Sequence, residues 1–164
     1  MAGSSIYGRE ALTFVSFHLV TSDTPKNWVE CAYAIHKASQ FAPWKITTFT
    51  DCFTSPYYGV FAIVDNSVVG YAIMLEVAGE ATLMDIAVKE SYRGRGIGAS
   101  LLNYVLNASD RNGMTEVWLE VRESNINAIT LYQKYGFKHI ETRKNYYPSE
   151  TGKEHASIMK WENA

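Results

Sequence analysis

The sequence predicts an α+β fold with one mixed central sheet flanked by helices, and three observations carry that prediction. Short β-rich stretches, alternating or continuously apolar, run through the middle and the end of the chain. Between them lie segments whose apolar residues recur at helical spacing. The middle strands follow one another without intervening helices, unlike the alternating units of a parallel α/β fold. At 164 residues the chain suits one domain, and a chain of that size buries roughly 70% of its unfolded surface. Residues 1–12 are expected to form a flexible N-terminal extension and residues 13–164 a single domain.

Residues 13–20 (TFVSFHLV) are β-rich and open the sheet. Asp23, Thr24 and Pro25 start a helix, and Trp28, Cys31, Ala32 and Ile35 continue it at helical spacing to about Ser39. Phe41-Ala42-Pro43-Trp44 breaks it, and a short helix is expected over 46–53. Residues 58–64 and 68–75 are apolar runs joined by Asp65-Asn66-Ser67, the pattern of a β-hairpin. Gly79-Glu80 turns the chain into a further strand over 82–88. After the glycines at 94, 96 and 98, Ile97, Leu101, Leu102, Val105 and Leu106 describe an amphipathic helix that Gly113 closes. Val117, Leu119 and Val121 alternate with Trp118 and Glu120, which is strand periodicity. Ser124-Asn125 caps a helix through Ile126, Ile129 and Tyr132 that ends at Tyr135-Gly136. Residues 137–143 and 156–161 are the last strands, around an irregular loop.

Composition excludes several function classes. Apolar residues make up 47% and charged residues 20%, the balance of a globular domain. The net charge of −2 shows no basic excess of the kind that nucleic-acid or anionic-membrane binding requires. No run of about 18 apolar residues is present, and the N-terminus lacks the apolar core of a signal peptide. Cys31 and Cys52 have no CxxC spacing and the four histidines are scattered, against a disulfide scaffold or a metal site and for a cytoplasmic setting.

The glycine-rich turn carries the chemistry. A helix N-terminus offers unpaired N–H groups at its positive dipole end, and glycines let an anion approach the backbone. Strand, then Arg93-x-x-Gly96-x-Gly98, then helix is therefore a phosphate cradle, with Arg93 and Arg95 adding charge. The plain alternative is an ordinary turn with solvated arginines. Gly94-x-Gly96-x-x-Ala99 also fits a dinucleotide fingerprint, but there the strand runs straight into the first glycine. Here Lys89-Glu90-Ser91-Tyr92-Arg93 intervene.

Arg93-Gly94-Arg95-Gly96-Ile97-Gly98 resembles the Q/R-x-x-G-x-G/A pyrophosphate loop of GNAT acetyltransferases. Leu119-Glu120-Val121-Arg122-Glu123-Ser124-Asn125, then Ala128-Ile129-x-Leu131-Tyr132-x-x-x-Gly136-Phe137, resembles the RimI-type ribosomal-protein alanine N-acetyltransferases. Pro43-Trp44, Arg143-Lys144-Asn145-Tyr146-Tyr147-Pro148 and Gly152-Lys153-Glu154-x-Ala156-x-Ile158-Met159 are similar to segments of the same family, so the resemblance spans residues 41–161. It implies the GNAT fold, a sheet splayed between its fourth and fifth strands, with acetyl-CoA as co-substrate and no metal. Ile86, Ala87 and Val88 would pair with the pantetheine arm, and the Val88 N–H would hold the thioester oxygen. Arg93, Gly94, Arg95, Gly96, Ile97 and Gly98 would hold the pyrophosphate, and Asn125 would touch the CoA arm besides capping its helix.

The acceptor amine must be neutral to attack. A terminal amine has a pKa of about 7.7–8.0, so a carboxylate that takes its proton is useful. The resemblance makes Glu120 that base, where position alone would make it a surface residue of a strand. It makes Tyr132 the acid for the CoA thiolate, where a helix tyrosine is otherwise a core aromatic. Tyr146 and Tyr147 would shape the peptide entrance, or else pack their loop. Cys31 and Cys52 read as packing residues, not as acetyl carriers. The expected activity is acetylation of the N-terminal α-amine of a protein, the N-terminal alanine of the eighteenth small-subunit ribosomal protein, by direct attack in a ternary complex. No direct nucleic-acid or membrane partner is expected. The alternatives are acetylation of lysine side chains or small amines, a non-catalytic acyl-CoA sensor, and, more distantly, a nicotinamide oxidoreductase.

Overall fold

The structure is a computed structural model that describes residues 2–7 and 12–163. Its elements in chain order are β1 (Ala2–Tyr7), β2 (Leu12–Leu19), α1 (Lys26–Ser39), α2 (Ile46–Asp51), β3 (Tyr57–Val64), β4 (Ser67–Val77), β5 (Glu80–Val88), α3 (Ile97–Arg111), β6 (Glu116–Arg122), α4 (Ile126–Lys134), β7 (Lys138–Ser149) and β8 (Gly152–Glu162). A single 3₁₀ turn over Glu90–Tyr92 leads into the glycine-rich loop. The chain divides into two compact units, Met1–Met74 with Asp85–Val105, and Leu75–Met84 with Leu106–Ala164.

In the first unit the strand order is β1-β2-β3-β4-β5. The stretch expected as a flexible extension carries β1, antiparallel to β2 from Ala2 opposite Phe17 to Tyr7 opposite Leu12. An edge strand has unpaired backbone groups, and β1 supplies their partners. Residues 1 and 8–11 lie outside the described residues. Asp65 and Asn66, at φ 49 and 61, make the tight β3–β4 turn whose positive dihedrals match the strand twist. Val20, Ala32, Ile35, Phe49, Phe61, Val68, Tyr71 and Ile73 close the core between α1, α2 and the strands. Ile97, Leu101, Leu102 and Val105 are the buried stripe of α3, as its spacing predicts.

In the second unit the order is β4-β5-β6-β8-β7. The β5–β6 pair is parallel and runs only from Glu80 opposite Glu116 to Leu83 opposite Leu119. β8 pairs antiparallel with β6 from Glu116↔Glu162 to Arg122↔Ala156. Residues 144–155, expected as an irregular loop, are instead strand on both sides of a turn at Glu150-Thr151. The expectation failed because β7 is exposed along nearly its whole length, so it shows no apolar alternation. Its register with β8 breaks between His139 and Glu141 and again between Arg143 and Tyr147. Among the described residues, no helix is long and apolar enough to cross a membrane.

Candidate active site

In the first unit, β5 ends in Asp85, which is buried, and Ile86, Ala87 and Val88, which are half-buried. The Lys89 N–H donates to the Val69 carbonyl at 2.7 Å and ties the end of β5 to β4. Gly70 on β4 allows the approach, because a Cβ there would stand 2.9 Å from the Ala87 carbonyl oxygen. Arg93 Nε donates to the Val88 carbonyl at 3.0 Å. The Arg95 guanidinium lies 4.9 Å from the centre of the Tyr92 ring. Gly94 and Gly96 sit at φ 77 and 80, backbone that side-chain-bearing residues rarely adopt. The Ser100 N–H gives the first helical bond, to Gly96 C=O at 3.0 Å. The amides of Ile97, Gly98 and Ala99 therefore form the N-terminus of α3, where the macrodipole favours an anion.

A network that sequence reading missed buttresses this strand. Asp85 Oδ2 accepts from the Tyr71 hydroxyl at 2.6 Å and from His36 Nδ1 at 2.8 Å, and its Oδ1 accepts from Gln40 Nε2 at 3.0 Å. The Trp44 N–H donates to His36 Nε2 at 2.9 Å, so the imidazole proton belongs on Nδ1, facing the carboxylate. Burial, then the charge and hydrogen bond of Asp85, push the Tyr71 phenol far above the ordinary tyrosine range. The network joins α1, the turn after it, β4 and β5. Buried polar residues at 36, 71 and 85 leave no local pattern in a sequence.

In the second unit, β6 turns Val117, Leu119 and Val121 inward and Glu120 outward. Asn125 Oδ1 accepts from the Ala128 N–H at 3.2 Å and caps α4, the local role expected of it. Tyr132 on α4 is 6% exposed, its ring 5.7 Å from that of Phe137. Glu120 Oε1 receives Arg143 Nη1 at 3.0 Å. The Arg143 guanidinium stacks 4.8 Å from the centre of the Tyr146 ring. A hydrogen bond to Glu120 holds the Tyr146 phenol above the usual tyrosine range, aided by burial and the carboxylate's charge against the opposing Arg143. Tyr147 meets Tyr146 edge-on at 5.0 Å, and Arg122 lies 4.6 Å from its ring centre. Arg122 Nη1 also reaches Pro148 O at 2.8 Å and Glu154 Oε1 at 2.9 Å. Glu154 is held below the usual carboxylate range by hydrogen bonds from Ser124 and Arg122.

The cysteines stand apart from these groups. Cys31 donates to the Val68 carbonyl and Cys52 to that of Thr48, each at 3.4 Å. Burial, then the charges of Asp51 and Asp85, push the Cys52 thiol up, away from a nucleophilic thiolate.

The model of the acetyltransferase (GNAT) family matches residues 15–137. The chain belongs to the GNAT acetyltransferase family. This acetyltransferase is 36% identical over 141 residues to the [ribosomal protein bS18]-alanine N-acetyltransferase of Escherichia coli K12, covering 86% of this chain and 92% of that one. It is 38% identical over 131 residues to the enzyme of that name from Haemophilus influenzae, covering 79% and 89%. The crystal structure of the ribosomal-protein-S18-alanine N-acetyltransferase from Escherichia coli superposes with a TM-score of 0.81 at 33% identity, over 90% of this chain and 94% of that one. The expected GNAT fold, mixed sheet included, is thus the fold of this acetyltransferase. In the sequence Arg143 belongs only to the closing segment Arg143-Lys144-Asn145-Tyr146-Tyr147-Pro148. Its pairing with Glu120 depends on β8, which lies between β6 and β7.

Proposed function

We propose that the chain transfers acetyl from acetyl-CoA to the N-terminal α-amine of a protein beginning with alanine, a bS18-type ribosomal protein, in the cytoplasm. The observation that carries this reading is the likeness to the bS18-alanine N-acetyltransferases over nearly their whole length. We read residues 13–164 as one catalytic domain, since the unit boundaries fall inside β4, β5 and α3 and not in linkers.

In the first unit, Ile86, Ala87 and Val88 offer strand backbone to the pantetheine arm. Arg93, Gly94, Arg95, Gly96, Ile97 and Gly98 take the pyrophosphate at the positive end of α3. The Val88 N–H stabilises the oxyanion of the tetrahedral intermediate, and Arg93 steadies that residue by donating to its carbonyl. In the second unit, Glu120 accepts the amine proton, directly or through water, and the nitrogen lone pair attacks the thioester carbon. The intermediate collapses with loss of the CoA thiolate, which Tyr132 protonates, and the second proton of the amine nitrogen passes through water to restore the Tyr132 phenol. A thiol pKa near ~8.5 makes that second demand the smaller one. Asn125 contacts the CoA arm, and Tyr146 and Tyr147 frame the peptide.

The test is CoA release from acetyl-CoA with a peptide beginning Ala-Arg, beside the same peptide blocked at its N-terminus. Release with the unblocked peptide alone is expected. Equal release from a blocked peptide that carries an internal lysine would transfer the activity to side-chain amines.

A further inference from the structure

We propose that Arg143 is a stand-in cation at Glu120, which the acceptor's terminal ammonium displaces, so that the amine arrives charged and loses its proton only after the exchange. The proposal rests on the reading of Glu120 as the base. The second unit holds two arginine–carboxylate–tyrosine groups, and they differ in how firmly they are built. Arg122 is a clamp: its Nη1 engages both Glu154 and the Pro148 carbonyl, it stacks on Tyr147, and both charged side chains are 23% exposed. Arg143 engages Glu120 with side chains 47% and 34% exposed, the geometry of a weak and easily exchanged pair.

The register breaks directly after Arg143, where the Asn145 N–H donates to His155 Nδ1 at 3.0 Å in place of a ladder bond. Arg143 faces Ala156, but the next registered pair is Tyr147 with Glu154. β7 thus advances from 143 to 147 while β8 moves only from 156 to 154, and the bulge holds Lys144, Asn145 and Tyr146. Asn145 takes a left-handed φ of 54 there. Bulges re-aim side chains and interrupt pairing; this one holds Tyr146, and Arg143 stands at its edge.

The exchange is economical in charge. A guanidinium leaves Oε1 and an ammonium takes its place, so Glu120 faces one cation before and after. The ammonium is compact, with three rotatable donors, where the guanidinium is a rigid fork. Proton transfer to Glu120 then frees the nitrogen lone pair. Glu120 passes its proton to solvent, and Arg143 returns to the regenerated carboxylate as the product leaves, because the acetylated terminus is neutral and cannot compete with it. Arg143 thereby selects acceptors that carry a positive charge at the reacting nitrogen. It acts through Glu120 and touches no reacting atom.

Steady-state kinetics of Arg143→Gln, Arg143→Lys and Glu120→Gln with an Ala-initiated peptide test this, alongside inhibition by the acetylated peptide. Arg143→Gln is expected to lower the peptide KM about two- to fivefold, the strength of one exposed ion pair. Its kcat and the inhibition constant of the acetylated peptide stay at the wild-type values, and Arg143→Lys restores the wild-type KM. A fall in kcat with KM unchanged, or a rise in KM, would overturn the proposal, because Arg143 would then orient Glu120 or bind peptide. Full activity in Glu120→Gln would instead sink the base assignment. Slow turnover in that variant, with no KM change in Arg143→Gln, would keep the base and remove the exchange.

Discussion

Glu120 and Tyr132 sit in opposite environments on neighbouring elements of the second unit. Glu120 projects from β6 into a partly solvated cluster with Arg143 and Tyr146, whereas Tyr132 is buried against Phe137. A carboxylate in reach of solvent can collect a proton and pass it on. A phenol can donate its proton to a departing thiolate. Glu120→Gln should therefore lower kcat about 10²- to 10⁴-fold, the usual range for a lost general base. Tyr132→Phe should lower it less, because a thiolate leaves without much help. Acetyl-CoA affinity should persist in both variants, measured by calorimetry. Wild-type turnover in both would refute the acid–base pair.

The end of β5 is held by its neighbours more than by its own sequence. Gly70 on β4 permits the close approach, and Asp85 anchors the strand to α1 through His36 and Gln40. In Gly70→Ala the new Cβ would lie 2.9 Å from the Ala87 carbonyl oxygen and 3.2 Å from Leu101 Cδ1. The carbonyl is backbone and cannot yield without moving β5, so a loss of about 1–3 kcal/mol is expected, the range for overpacking. If Ile86, Ala87 and Val88 hold the pantetheine arm, the KM for acetyl-CoA should rise while that for peptide stays. A lowered melting temperature with both KM values intact would separate this strand from co-substrate binding.

Across the whole fold, the buried phenol of Tyr71 links stability to alkaline pH. Burial, and then Asp85, raise its pKa above that of an unfolded tyrosine, which ionises near about 10. Above that pH the unfolded chain releases a proton that the folded chain keeps, so the folded state binds more protons and stability falls as pH rises. Below it the contribution is intact. Tyr71→Phe should be less stable than wild type near neutrality, and the gap should narrow above about pH 10. Urea midpoints measured between about pH 8 and about pH 11 read this directly. A gap that is constant with pH would mean that Tyr71 ionises alike in both states.

Local pattern was enough for most elements. The i, i+4 spacing of Ile97, Leu101 and Val105 placed α3, the alternation around Glu120 placed β6, and Asp65-Asn66 placed a turn that the structure builds with two positive φ values. The glycines at 94 and 96, and the cap at Asn125, were equally legible, because each answers a need of the backbone within a few residues. β7 was not, since an edge strand exposed on both faces carries no periodic signal. Nor were the contacts around Glu120 and Asp85. Arg143 reaches Glu120 across 23 residues and Asp85 reaches His36 across 49. Periodicity and capping are properties of adjacent residues, so a linear chain displays them. Which arginine meets which carboxylate depends on strand order, register and a bulge, and those exist only once the chain has folded.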